Sequence, residues 1–123
     1  MSERPYEIAL LGATGFTGRL AARYLAAHAP KEVRWVLAGR DERRLEEIRV
    51  SLAAEACPPR AVVRVDVGEP ATRARLAADA RVIQTMVGPY ARHGLPVVEA
   101  AVARGADYVD ITGEPEFVAA SIT

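Results

Sequence analysis

Three glycines recur at every third position, Gly12, Gly15 and Gly18, in the run Gly12-Ala13-Thr14-Gly15-Phe16-Thr17-Gly18. An apolar run precedes them and an amphipathic stretch follows, the context in which a glycine-rich turn cradles the phosphates of a dinucleotide. A tight hand-over from strand to helix needs a residue without Cβ at Gly12. A second at Gly15 lets the backbone approach a pyrophosphate, and a third at Gly18 lets helix and strand pack together. The helix starting there offers unpaired N–H groups and about half a positive charge to an anion, and the Thr14 and Thr17 hydroxyls are further donors. Glycine-rich turns also join strands to helices where no ligand binds, but strand before and helix after favour the ligand.

A second group bears on which dinucleotide. NAD-type sites close the second strand with an acid that accepts hydrogen bonds from the adenosine ribose. Here that strand ends in Leu37-Ala38-Gly39-Arg40. The small Gly39 leaves room at the ribose, and the planar, permanently charged fork of Arg40 suits a 2′-phosphate. NADP is therefore the expected cofactor, with NAD as the alternative. Asp41 opposes this reading, because its carboxylate can reach ribose hydroxyls and neutralise Arg40. Arg40 is alternatively a solvated arginine at a helix start.

Asp66 and Val67 follow the third strand, a position that borders the adenine ring in dinucleotide-binding domains. Asp66 equally suits a turn ahead of Gly68. Gly88, Pro89 and Tyr90 follow the fourth strand, facing the nicotinamide half of a cofactor. Gly88 permits close approach, Pro89 stiffens the loop, and Tyr90 is placed to stack or donate a hydrogen bond, although Gly-Pro-Tyr is also a good turn sequence. His93 reads as an exposed turn residue rather than a proton donor. His28 reads as a cation at a helix C-terminus. No residue stands out as the catalytic one. Cys57 is the only cysteine, and it has no metal-like spacing around it, so neither a metal site nor an internal disulfide is expected.

Positioning these residues requires alternating elements, and the periodicity supplies them. Apolar runs suited to strands occur at 6–11, 33–38, 61–65, 81–87 and 107–111. Between them lie helical patterns at 17–28, from about Asp41, which suits an N-cap, to before Pro58, at 70–79 and at 95–104, with Gly105 suited to the residue after a helix end. The first helix is expected to pack through Leu20, Ala21, Tyr24 and Leu25. The stretch 53–60 reads as an exposed loop. Such alternation predicts a Rossmann-type doubly wound α/β fold: a parallel sheet in strand order 3-2-1-4-5 with helices on both faces, three layers in one domain spanning 1–123.

Sixteen basic and sixteen acidic side chains cancel, which argues against nucleic acid or anionic lipid as a partner and makes any anion site local. The start of the chain carries no leader-like pattern and no stretch spans a bilayer, so a cytoplasmic location is expected.

The glycine loop together with Leu37-Ala38-Gly39-Arg40, Val87-Gly88-Pro89-Tyr90 and Tyr108-Val109-Asp110-Ile111-Thr112-Gly113-Glu114 resembles the N-terminal domain of saccharopine dehydrogenase-like oxidoreductases, and within them bacterial trans-acting enoyl reductases. The spacing of the loop itself resembles extended and atypical short-chain reductases. The resemblance implies a two-domain NADP-dependent reductase, in which this half binds the cofactor and a further domain completes the pocket for a small-molecule or lipid-like acyl substrate. It places Thr112, Gly113 and Glu114 at the nicotinamide end or the domain junction, whereas Asp110 read by itself suits a helix cap. The fragment is then expected to bind cofactor without turnover, and apolar surface at the strand ends makes a homodimer an expectation too. A non-catalytic NAD(P)-sensing regulator is the alternative function, since the same loop serves both.

Overall fold

The computed structural model describes residues 4–86 and 90–109, with side chains at 4–86 and 95–109. Strand and helix alternate: β1 (Tyr6–Leu11), α1 (Phe16–His28), β2 (Trp35–Gly39), α2 (Glu42–Ser51), β3 (Ala61–Arg64), α3 (Pro70–Asp79), β4 (Ala80–Thr85), α4 (Tyr90–Arg104) and β5 (Asp107–Val109). The five strands form one sheet in the expected order β3-β2-β1-β4-β5, and all pairs are parallel. Leu10 of the central strand lies between Leu37 of β2 and Gln84 of β4.

Side chains that alternate along each strand feed two cores. Leu10, Trp35 and Leu37 pack on one face with Ala22 and Ala26 of α1 and Leu45 of α2. Ala9, Leu11, Val36 and Ala38 pack on the other with Leu76 and Ala77 of α3 and Val97 and Ala101 of α4. Burial on both faces explains why β2 reads as a continuous apolar run rather than an alternating one. From β1 the chain winds outward through β2 and β3, then returns to the other side of β1 for β4. The ends of β1 and β4 stay paired, Leu11 opposite Thr85, but the chain leaves them towards helices on opposite faces, and this divergence opens the crevice in which such sheets bind ligands.

Four local expectations need correction. Helix α1 buries Gly18, Ala22 and Ala26, leaving Leu20 49% and Tyr24 67% exposed. Ala21 and Leu25 of the expected face do pack against the core, but the closest approach is made by small residues, because a Cβ on Gly18 would stand 2.0 Å from the Gly12 carbonyl oxygen. Second, the stretch 53–60 is not wholly exposed, because Cys57 and Pro59 are buried. The Cys57 N–H donates to the Ala26 carbonyl at 2.8 Å, and its carbonyl accepts from the Trp35 indole at 2.9 Å.

Third, α4 starts at Tyr90 instead of Leu95 and continues through Pro96, which puts His93 inside a helix rather than a turn. A proline there removes one backbone donor, and the same helix buries Val97 and Ala101 against the sheet. Fourth, β2 starts at Trp35 because the Val33 N–H is used in a turn, donating to the Pro30 carbonyl at 3.0 Å. Gly105, by contrast, has the positive φ of 74° expected after a helix end. Val87 and residues 110 and 111, assigned to strands from sequence, lie outside the described residues.

Candidate functional site: a cleft over the glycine loop

Gly12 leaves β1 with φ 88°, a left-handed conformation that favours glycine. Its N–H still donates to the Ala38 carbonyl of β2 at 3.0 Å, and its carbonyl accepts the Gly15 N–H at 3.3 Å. That turn delivers the chain into α1 with Gly15 as the N-cap residue, and no side chain caps the helix. The N–H groups of the first turn have no partner inside a helix by construction, so at α1 they face whatever occupies the cleft. A Cβ on Gly15 would meet nothing closer than the Gly12 carbonyl oxygen at 3.7 Å. The space above it is therefore open, and the fold does not need a glycine there to avoid a clash.

Over this loop lies a cavity of about 500 Å³. The loop contributes Leu11, Gly12, Thr14 and Gly15, the end of β2 contributes Gly39 and Arg40, and Met86 follows β4. Val65 to Gly68, beyond β3, complete the wall. These are the C-terminal ends of neighbouring parallel strands, where carbonyls and loops converge. The far wall is stapled from α3. The Thr72 hydroxyl accepts the Asp66 N–H at 3.1 Å and lies 2.9 Å from the Asp66 carbonyl, and the Arg73 guanidinium donates to the Val67 carbonyl at 2.5 Å. Asp66 Oδ1 accepts the Gly68 N–H at 2.9 Å, so Asp66 both makes the turn and lines the cavity. Arg64 and Glu69, which flank this segment in sequence, pair at 2.9 Å, and the Glu69 carboxylate raises the Arg64 pKa above its ordinary value.

The sequence-derived candidates separate accordingly. Gly12, Thr14, Gly15, Arg40, Asp66 and Val67 come together around one cavity. Ala13 is fully buried in the core and faces away from it, so only its backbone is available. Phe16 is 82% exposed, and neither it nor Thr17 belongs to the lining. Gly18 is buried against Gly12 and serves helix packing. Gly88 and Pro89 lie outside the described residues, as does the Tyr90 side chain, although Tyr90 opens α4. Leu11, Gly39, Val65, Gly68 and Met86 also line the cavity. Their common signal in the sequence is position at or just past a strand end.

Asp41 resolves the ambiguity at β2. It is the N-cap of α2, and its Oδ1 accepts the Arg44 N–H at 3.2 Å. Arg40 makes no ion pair among the described residues and stands at the cavity wall. An uncapped helix start, an open face at Gly15 and an unpaired guanidinium together fit a dinucleotide with a 2′-phosphate. Among the described residues no group of His, Cys, Asp or Glu could hold a metal ion, and no helix is long and apolar enough to cross a membrane.

Comparison with known proteins agrees with this geometry. The profile of the saccharopine dehydrogenase NADP binding domain matches residues 8–121. A trans-acting enoyl reductase of Mycobacterium bovis is 44% identical over 122 residues, covering 98% of this chain and 28% of that protein. One from Mycobacterium ulcerans is 45% identical over 121 residues, with the same shares. The chain thus spans little more than a quarter of the length of these relatives. Among solved structures, apo saccharopine dehydrogenase (L-Glu forming) from Saccharomyces cerevisiae superposes with a TM-score of 0.73 at 20% identity, covering 93% of this chain and 23% of that one. A wide-type short-chain dehydrogenase/reductase of Veillonella parvula in complex with NADP gives a TM-score of 0.65 at 17% identity, over 87% of this chain and 47% of that one. These two likenesses concern the fold. The chain belongs to the saccharopine dehydrogenase NADP-binding domain family.

Proposed function

We propose that this chain is the cofactor half of an NADP-dependent enoyl reductase, and that residues 1–123 form one cofactor-binding domain of a larger two-domain protein whose other part holds an acyl substrate. The observation that carries the reading is the convergence, in one cavity, of the uncapped start of α1, the open face of Gly15 and the unpaired Arg40. The pyrophosphate lies on the N–H groups of the first turn of α1, with Thr14 as a further donor. Arg40 takes the 2′-phosphate, and Asp66 and Val67 border the adenine. Gly88, Pro89 and Tyr90 are assigned to the nicotinamide side. Ala13 contributes backbone, and Thr17 is a second hydroxyl at the helix start.

The bound nicotinamide supplies the hydride, while the protein holds the cofactor and excludes water. The names of the relatives support reduction of a carbon–carbon double bond. The balanced charge argues against a nucleic-acid partner, and a cytoplasmic location and a homodimer of the whole protein complete the proposal.

Calorimetric titration of the chain with NADPH and then NADH tests the proposal, alongside Gly15→Val, whose side chain would occupy the pyrophosphate approach. NADPH binding that disappears in the folded variant is the expected result. A folded wild-type chain that binds neither nucleotide, or a Gly15→Val variant that binds as well as wild type, would overturn it.

A further inference from the structure

A second concave feature lies on the outer side of the α1/α2 layer and shares no lining residue with the cofactor cavity. It is a cleft of about 180 Å³ with Arg19 and Arg23 of α1 on one side, Arg44 and Glu47 of α2 on the other, and Ile48 and Leu52 among its lining. Three guanidinium groups thus meet one carboxylate. None of the three makes an ion pair among the described residues, whereas Arg34, Arg49, Arg64 and Arg75 all do. Helix α1 carries no acidic side chain at all. In a chain whose charges balance overall, this is a local excess that the fold itself leaves uncompensated.

Beside these arginines runs an apolar stripe. Phe16, Leu20 and Tyr24 are 82%, 49% and 67% exposed and recur once per turn along α1. The Tyr24 ring rests against His28 with centroids 4.6 Å apart. Aromatic side chains interleaved with arginine are the composition of protein-interface hot spots rather than of a solvated helix face. Arg19 and Arg23 are four residues apart, so their side chains project about 6 Å apart along the helix. Acidic residues four apart on a second helix share that repeat, and apolar residues beside them fall over the stripe.

We propose that the α1/α2 face docks an acidic amphipathic helix of a separate protein. Its carboxylates pair with Arg19, Arg23 and Arg44, and its apolar residues cover Phe16, Leu20 and Tyr24. A second copy of this chain is a poor occupant, because an isologous contact through this face sets arginine against arginine. A small polyanion would satisfy the arginines but leave the stripe uncovered.

The test uses a fluorescein-labelled helical peptide of about 18 residues, five turns, with Glu at every fourth position and Leu alongside. A control peptide carries Gln for each Glu. Fluorescence anisotropy should show saturable binding of the Glu peptide that weakens as salt is added and little binding of the Gln peptide. Arg19→Glu combined with Arg23→Glu changes exposed side chains only, so melting and NADPH titration should match wild type, while peptide affinity falls at least about tenfold. A peptide with Lys for Glu should bind this variant better than it binds wild type. Leu20→Ser combined with Tyr24→Ser should weaken the Glu peptide by a similar factor.

Equal binding of the Glu and Gln peptides, or a charge reversal without effect, overturns the proposal. So does tripolyphosphate binding through the same arginines when the Glu peptide does not bind, which would make the cleft a small-anion site. A wild-type dimer that the reversal splits would assign the face to a second copy instead.

Discussion

Two strands of the sheet hand over to helices on the same face, and the two helix starts are built in opposite ways. At α2 the N-cap is Asp41, whose carboxylate accepts the Arg44 N–H at 3.2 Å. That start is satisfied from within the chain. At α1 the N-cap is Gly15 and no side chain caps it. A helix start at the mouth of a cavity without its own cap has given up a stabilising interaction worth about 1 kcal/mol, and an anion restores it. The difference is that one helix start is satisfied by a side chain of the chain itself and the other is left open, the end at which the proposed ligand sits.

The largest expected effect separates two glycines of that same loop. Gly18→Ala forces a Cβ to within 2.0 Å of the Gly12 carbonyl oxygen, so the helix must move off the loop. A loss of about 3 kcal/mol or more in denaturant unfolding is expected, in the range of severe overpacking. Gly15 sits in an extended conformation at φ −75° with open space above it. Gly15→Val should therefore unfold within about 1 kcal/mol of wild type, while NADPH affinity drops at least about a hundredfold, or about 2.7 kcal/mol. If both variants lose stability alike, the division between packing glycine and ligand glycine is wrong.

Arg40→Ala comes next. Removal of a charge-assisted contact to a 2′-phosphate should cost NADPH about tenfold or more in affinity, roughly 1.4 kcal/mol, and leave NADH unchanged. An unaltered NADPH preference would remove Arg40 from the site. Asp41→Ala sharpens the contrast between the helix starts from the other side. It should lose about 1 kcal/mol of stability, the usual worth of an N-cap, without a change of cofactor. A pronounced gain in NADPH affinity would mean that Asp41 had been neutralising Arg40 after all.

The smallest effect lies at the opposite end of β1 and serves as a control for both helix starts. Glu7 accepts from the Arg34 guanidinium at 2.7 Å and from its backbone N–H at 3.1 Å, which lowers its pKa below the ordinary 4.5. Its charged form is thus favoured in the folded state. The stabilisation is fully present above the ordinary carboxylate pKa and disappears as pH falls through the lowered value. Glu7→Gln should cost up to about 1 kcal/mol near neutral pH, as for a partly exposed pair, and the gap to wild type should close on acidification, with NADPH binding untouched throughout.

Much of this was legible in the chain itself. The repeated exchange between apolar runs and helical patterns specifies five parallel strands, because parallel neighbours need a helical return of fixed hand, and the glycine loop after the first strand points to the order with β1 at the centre. Gly12 and Gly105 announced their positive φ, and Gly39-Arg40 at the end of β2 pointed to the cofactor wall. These are local properties, expressed by backbone freedom, spacing and charge within a few residues.

Other features depend on how closely distant parts approach. Helical spacing alone favoured Leu20 and Tyr24 as the buried face of α1, and only the contact between Gly18 and Gly12 shows why small residues lie beneath it instead. Cys57 looked like part of a solvent loop until its backbone was tied to Ala26 and Trp35. Asp41 offered two roles that its sequence neighbours could not separate, and the helix that it caps selected one. Met86, Val65 and Gly68 join the cavity because the strands they follow end side by side. The sequence by itself determined which elements form and where the backbone must bend. The tertiary structure decided which side chains face the core and which loops share a cavity, since both depend on distances between segments far apart along the chain.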